Sequence, residues 1–136
     1  MPMFVQLSVR NLAIIRDIQL EFSPGLTALT GETGAGKSIL IDALGLVLGA
    51  RASSDLVRSG AARAWVEAIF DVSDLPAGAA LLSVLAEYGV EPEDGQLIVT
   101  RDIQVSGRSV ARINGQAVPV SVLSTIGSAL VDIHGQ

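Results

Sequence analysis

GETGAGKS (31–38), framed by the apolar runs LTALT (26–30) and ILIDALGLVLGA (39–50), decides how the rest of the chain is read. It matches G-x-x-x-x-G-K-[ST] at every fixed position, running Gly31, Glu32, Thr33, Gly34, Ala35, Gly36, Lys37, Ser38. Each residue type has a physical task. The glycines let the backbone turn with positive φ and let phosphate oxygens come close. Successive N–H groups then converge into an anion nest, and the helix that follows adds the positive end of its dipole. Lys37 can reach the β- and γ-phosphates, and Ser38 can offer its hydroxyl to Mg²⁺. With average residue usage the pattern arises by chance in about one of two hundred chains of this length. A strand expected before it and a helix expected after it supply the context the motif needs. The cofactors implied are ATP and Mg²⁺. Asp42, one turn beyond Ser38, reads equally as an ordinary helix charge or as an orienting group near the loop.

Outward from the loop, FVQLSVRN (4–11) and IIRDIQLEF (14–22) alternate apolar and polar residues as half-buried strands do. SPG (23–25) is a turn and LTALT (26–30) a short strand. The spacing predicts a buried helix over 37–50, stopped by Gly49. A polar link follows, then a strand over 64–72. A helix is expected over 73–89, capped by Ser73 or Asp74, with Pro76 in its first turn and Gly89 after it. QLIVTRDIQV (96–105) and SVARING (109–115) flank SGR as a hairpin. A helix is expected over 119–130, and LVDI (130–133) reads as a final strand before HGQ. The fold class is therefore α/β, with mixed and antiparallel strands around the phosphate-loop helix. The 136 residues fit one domain or a piece of one, and the abrupt last strand suggests a domain cut short or, alternatively, a disordered tail left out of the sequence.

Composition narrows the class. Hydrophobic residues make up 49% of the chain and cysteine is absent, which excludes disulfides and thiolate metal sites and fits a cytoplasmic setting. No run approaches the roughly 18 apolar residues of a membrane span, so no membrane partner is expected. The lack of basic residues ahead of the first apolar run argues against a signal peptide. Net charge is −5, against a surface generally coated for nucleic acid. The charge is nevertheless patterned. Seven acids and no base lie between Glu67 and Asp94, whereas Arg51, Arg58 and Arg63 form one basic group and Arg101, Arg108 and Arg112 another. Solvated surface arginines explain these as simply as a DNA contact does. The one lysine, among eight arginines, is Lys37. A compact ammonium suits a phosphate cradle.

Hydrolysis needs more than the loop supplies: an acid at a strand end for Mg²⁺ and a group to orient water. Asp132 and Asp71 follow apolar runs, but each sits inside its expected strand, and neither is convincing. His134 reads as a surface or hinge histidine rather than a catalyst.

At this point the chain closely resembles the N-terminal part of the RecN family, SMC-like ATPases of the ABC type that act in bacterial DNA repair. The likeness rests on LSVRNLAIIRDIQLEFSPGLTALTGETGAGKSILIDALGLVLGARASSDLVRSG, on RINGQAVPVSVL and on LVDIHGQ, and it covers essentially all of the chain. The resemblance implies a P-loop NTPase fold of the ABC/SMC head type, of which residues 1–136 would be the N-terminal lobe, ending at the Q-loop. It implies a head completed by the protein's own C-terminal half, two heads sandwiching ATP as a homodimer, action on DNA in double-strand-break repair and recombination, and a nucleoid-associated, cytoplasmic location. Carried over by position, Gly31–Ser38 hold the phosphates. Gln136 matches the glutamine that helps hold Mg²⁺ and the attacking water, and with Lys37 it makes up the catalytic set. Arg58 in LVRSG matches an arginine near nucleotide and DNA. Arg10 and Asn11 match a region approaching the base and ribose. The signature motif, the Mg²⁺-binding aspartate with its catalytic glutamate, and the coiled coil have no match here. The chain alone is therefore expected to bind ATP without turning it over.

Other readings compete. A transporter motor would carry an aromatic upstream to stack adenine, but Phe4 and Phe22 read more easily as core. A stand-alone P-loop kinase would need base and lid residues that are not found. A purely structural lobe would bind nothing.

Overall fold

The computed structural model describes residues 4–21, 34–75 and 79–134, with the side chains of 4, 34–37 and 131–134 also outside the description. The strand expected over 26–30, Gly31–Thr33, Pro76 and Gln136 lie outside the described residues. Among the described residues six strands form a sheet in the order β2-β1-β3-β4-β5-β6, where β1 is Phe4–Leu12, β2 Ile15–Glu21, β3 Arg63–Asp71, β4 Gln96–Gln104, β5 Ser109–Ile113 and β6 Gln116–Val118. Every described pairing is antiparallel. Period-two alternation explains the two faces. Leu7, Val9, Ala64, Val66, Ala68, Phe70, Leu97, Val99, Ile103, Ala111 and Ile113 are buried on the inner face. Ser8, Arg10, Trp65, Glu67, Thr100 and Arg112 belong to the alternate, outer set.

Among the described residues three α-helices accompany the sheet: α1 (Gly34–Val47), α2 (Ala80–Glu87) and α3 (Val120–His134). α1 buries Leu40, Ala43, Leu46 and Val47. α3 buries Leu123, Ile126 and Leu130 at helical spacing and packs against α2, which buries Leu81 and Leu85. Each fully buried leucine contributes about 2 kcal/mol by removal from water.

α1 and α2 end alike. Ala50 N–H bonds Gly45 C=O at 2.9 Å and Gly49 N–H bonds Leu46 C=O at 3.2 Å; Val90 N–H bonds Leu85 C=O at 2.9 Å and Gly89 N–H bonds Ala86 C=O at 3.1 Å. These are Schellman ends, with Gly49 (φ 102°) and Gly89 (φ 72°) in the left-handed position each requires. Both glycines are the stops expected from the sequence.

Several expectations are corrected. Residues 130–133 are the last turns of α3 rather than a strand. Leu130 continues the Leu123–Ile126 stripe, and a short apolar run carries no strand signal of its own against that period. α1 begins at Gly34, three residues before the expected start. Ser73 and Asp74 do not start α2. Ser73 instead donates its N–H (2.9 Å) and hydroxyl (2.6 Å) to Asp71, an Asx-type turn that lowers the Asp71 carboxyl from its ordinary value. The segment 109–115 is not one strand either. Asn114 (φ 50°) and Gly115 (φ 83°) turn the chain back into β6, the Asn-Gly signature of a two-residue hairpin.

Candidate nucleotide-binding site

The described part of the loop motif belongs to α1. Gly34 to Ser38 form the first turn of the helix, so the motif's later amides are those that a helix start leaves without intrahelical partners. Such an end attracts anions through those N–H groups and the helix dipole. Gly31–Thr33 precede the described helix start. Ser38 is exposed, as are Ile41 (52%) and Asp42, while the opposite side of α1 rests on the inner face of the sheet. Ser38 and Asp42 are one turn apart on that open side. The Ser38 hydroxyl is a hard oxygen of the type Mg²⁺ takes. No group of three or more metal-ligating His, Cys, Asp or Glu exists among the described residues.

Three of the expected site residues, Arg10, Asn11 and Arg58, meet at one end of the sheet. The β1–β2 hairpin tip passes through Asn11 (φ 54°) and Ala13 (φ 51°). The LVRSG loop docks on it: Arg58 N–H bonds Asn11 C=O at 2.8 Å, Ala13 N–H bonds Leu56 C=O at 2.8 Å, and the Arg58 guanidinium bonds Ile14 C=O at 2.9 Å. Arg10 lies on the outer face, away from α1, with its guanidinium 4.9 Å from the Trp65 ring centroid, within cation–π range. Burial raises the Glu67 carboxyl above its ordinary value, against lowering by the Thr100 hydroxyl and the Arg10 charge.

Charge is uneven along the strands, although Asp17, opposite Arg10, and Asp102, paired with Arg63, lie at the arginine end. Arg10, Arg16, Arg58, Arg63 and Arg108 gather at the end holding the β1–β2 and β4–β5 tips. Glu21, Asp71, Asp74, Glu91, Glu93 and Asp94 lie at the other. Arg63 also meets Asp102 at 2.9 Å, its own side chain 58% exposed.

Arg101 does not belong to the second basic group, as the sequence suggested. It is 1% exposed and sits on the inner face between Val66 and Ala111. Its guanidinium donates to Leu46 C=O at 2.7 Å, Ala50 C=O at 2.8 Å and Ser109 Oγ at 3.1 Å. Burial lowers it from its ordinary value. The signal was available: Leu97, Val99, Arg101 and Ile103 share one parity, so period two puts the arginine among the core residues. Asp132, weighed as a Mg²⁺ ligand at a strand end, lies in helical backbone instead.

Comparison with known proteins follows the same lines. Residues 6–114 match the model of a family described as AAA domain. The chain is 48% identical over 134 residues to the DNA repair protein RecN of Bacillus subtilis, covering 98% of this chain and 23% of that protein. It is 46% identical over 134 residues to RecN of Halalkalibacterium halodurans, again covering 98% and 23%. The chain thus spans about a quarter of the length of these relatives. Among solved structures, one described as the structural biochemistry of ATP-driven dimerization and DNA-stimulated activation of SMC ATPases superposes with a TM-score of 0.71 at 25% identity, covering 94% of this chain and 79% of that one.

Proposed function

Since this chain belongs to the AAA domain family and is similar along nearly its whole length to RecN proteins, we propose that it is the ATP-binding lobe of an SMC-like ATPase head that acts in DNA double-strand-break repair. The observation that carries the reading is the phosphate-loop sequence running without interruption into α1, whose first turn is Gly34 to Ser38. In this reading Gly31 to Lys37 cradle the phosphates, and Ser38 and Gln136 serve Mg²⁺. Bound Mg²⁺ would neutralise charge developing on the transferred phosphoryl group. Arg10 faces away from α1, so any contact that it and Asn11 make with base or ribose would run around the end of β1.

The half-open α1, with Ile41 beside Ser38 and Asp42, supports a lobe completed by the C-terminal half of its own head. The ATP-bound head would pair with a second copy. The chain alone would bind ATP without turnover, because by resemblance the acids and the signature motif belong to other parts of the head. A cytoplasmic, nucleoid-associated location goes with this role.

ATP titration tests the site. Lys37→Ala is expected to weaken binding about 10- to 100-fold, the scale of one lost charge-assisted hydrogen bond; equal, saturable binding by both proteins would remove the assignment. The DNA partner is supported by the arginine-rich end of the sheet. Reversing Arg16, Arg58 and Arg108 to Glu should weaken binding to duplex DNA and flatten its salt dependence by about one unit of log–log slope for each phosphate no longer neutralised. An unchanged slope would place the DNA-binding face elsewhere.

A further inference from the structure

We infer that Arg101 is a positioning residue for nucleotide binding: from β4 it clamps the C-terminal end of α1, and so sets the seat and tilt of the helix whose first turn carries the phosphate loop. This rests on the ATP reading above.

Geometry carries the inference. α1 is a single rod of 14 residues, about 20 Å long at 1.5 Å per residue. It is gripped along one side only, with Ser38, Ile41 and Asp42 open on the other. An angular error at one end of such a rod therefore becomes a displacement at the other. At the far end, Arg101 bonds two carbonyls four residues apart, Leu46 and Ala50, one on each side of the Schellman turn. A single guanidinium nitrogen thereby fixes both where the helix stops and how it rolls.

The choice of residue also points to this. Arg101 is a fully buried cation whose hydrogen-bond partners are two carbonyls and a hydroxyl rather than a carboxylate, and its Nε has no hydrogen-bond partner among the described residues. An apolar side chain would fill the same inner-face position without the desolvation cost. What it could not do is neutralise the negative end of the helix dipole or satisfy the Ala50 carbonyl. Arg101 is therefore placed for where it holds α1.

Binding of a fluorescent ATP analogue should be measured on the wild type, Lys37→Ala, Arg101→Met, Arg101→Lys, Ser109→Ala and Leu85→Ala, well below each unfolding midpoint. Leu85→Ala destabilises the core at α2, whose helix neighbour is α3, and removes none of the Arg101 hydrogen bonds. Arg101→Met is expected to bind about tenfold more weakly, the scale at which remote changes act through a shared element. Arg101→Lys should recover part of the loss, and Leu85→Ala should bind as the wild type does. Amide exchange over 34–38 should quicken in Arg101→Met.

A folded Arg101→Met protein that binds as tightly as the wild type overturns the inference and leaves Arg101 a purely structural cap. So does an equal loss in Leu85→Ala. If Arg101→Met does not fold, Ser109→Ala decides: two- to threefold weaker binding is expected, from about 0.5 kcal/mol, and unchanged binding overturns it. The ATP reading itself fails only if the wild type does not bind or Lys37→Ala binds equally, and the inference then falls with it.

Discussion

Gly127→Ala is expected to destabilise the protein by about 3 kcal/mol and to lower its thermal midpoint by about 12 °C. Two effects oppose each other at this position. Alanine is the better helix former, which alone would stabilise α3 by about 1 kcal/mol. Against that, a Cβ at Gly127 would run into the carbonyl oxygen of Leu48, with Leu48 C at 2.8 Å and Cα at 3.0 Å. These are backbone atoms at the end of α1 and cannot swing aside as a side-chain tip could. The seam is reciprocal, since a Cβ on Gly49 would overlap the Cα of Ser124 on α3. Relief would require the two helices to part, uncovering Leu123 and Ile126, both at 0% exposure. Steric cost should therefore exceed propensity gain. Circular-dichroism melting of the two proteins checks this, and an unchanged or raised midpoint would show that the seam is loose.

Where one physical signal dominates, the chain can be read directly. β1 and β2 alternate cleanly because one face is wetter and the other is buried, and α1 is legible as a helix stopped by Gly49, although it starts three residues earlier than the motif's Lys37 suggested. Signals that compete locally mislead. LVDI suits a strand as well as a helix, and only the stripe from Leu123 through Leu130, visible over a longer window, decides for α3. Ser73 looks like a helix cap, yet its hydroxyl and amide both serve Asp71, and the helix waits until Ala80.

The site divides the same way. Its phosphate-loop half is proposed on eight contiguous residues, of which Gly34 to Ser38 lie in the described start of α1. The meeting of Arg10, Asn11 and Arg58 is not legible in the sequence, because it depends on two positive-φ residues at a hairpin tip and on a loop docking across 44 residues of sequence. Arg101 is misread for a different reason. Charge counted along the chain makes neighbours in sequence look like a patch, although β4 sends Arg101 and Asp102 to opposite faces.

Asn114→Ala is expected to cost about 3 kcal/mol. Asn114 does three things at once. Its Oδ1 accepts the Ile98 N–H at 2.7 Å, where the β4–β5 ladder ends at Val99 and Ile113. Its Nδ2 donates to the Glu91 carbonyl at 2.8 Å and the Gln96 carbonyl at 3.3 Å, tying the Asp94–Gly95 turn to the β5–β6 turn. Its backbone sits at φ 50°, where asparagine is tolerated and alanine costs about 1 kcal/mol. Alanine loses all three, leaving the Ile98 N–H without its acceptor. Glycine loses the hydrogen bonds but keeps the backbone freedom, so Asn114→Gly should be milder by about 1 kcal/mol. Urea unfolding separates the two, with midpoints ordered wild type, Gly, Ala and a common slope. Equal midpoints for Gly and Ala would mean that the left-handed backbone carries no cost there. An Ala midpoint equal to wild type would mean that the side chain is not what joins the two turns.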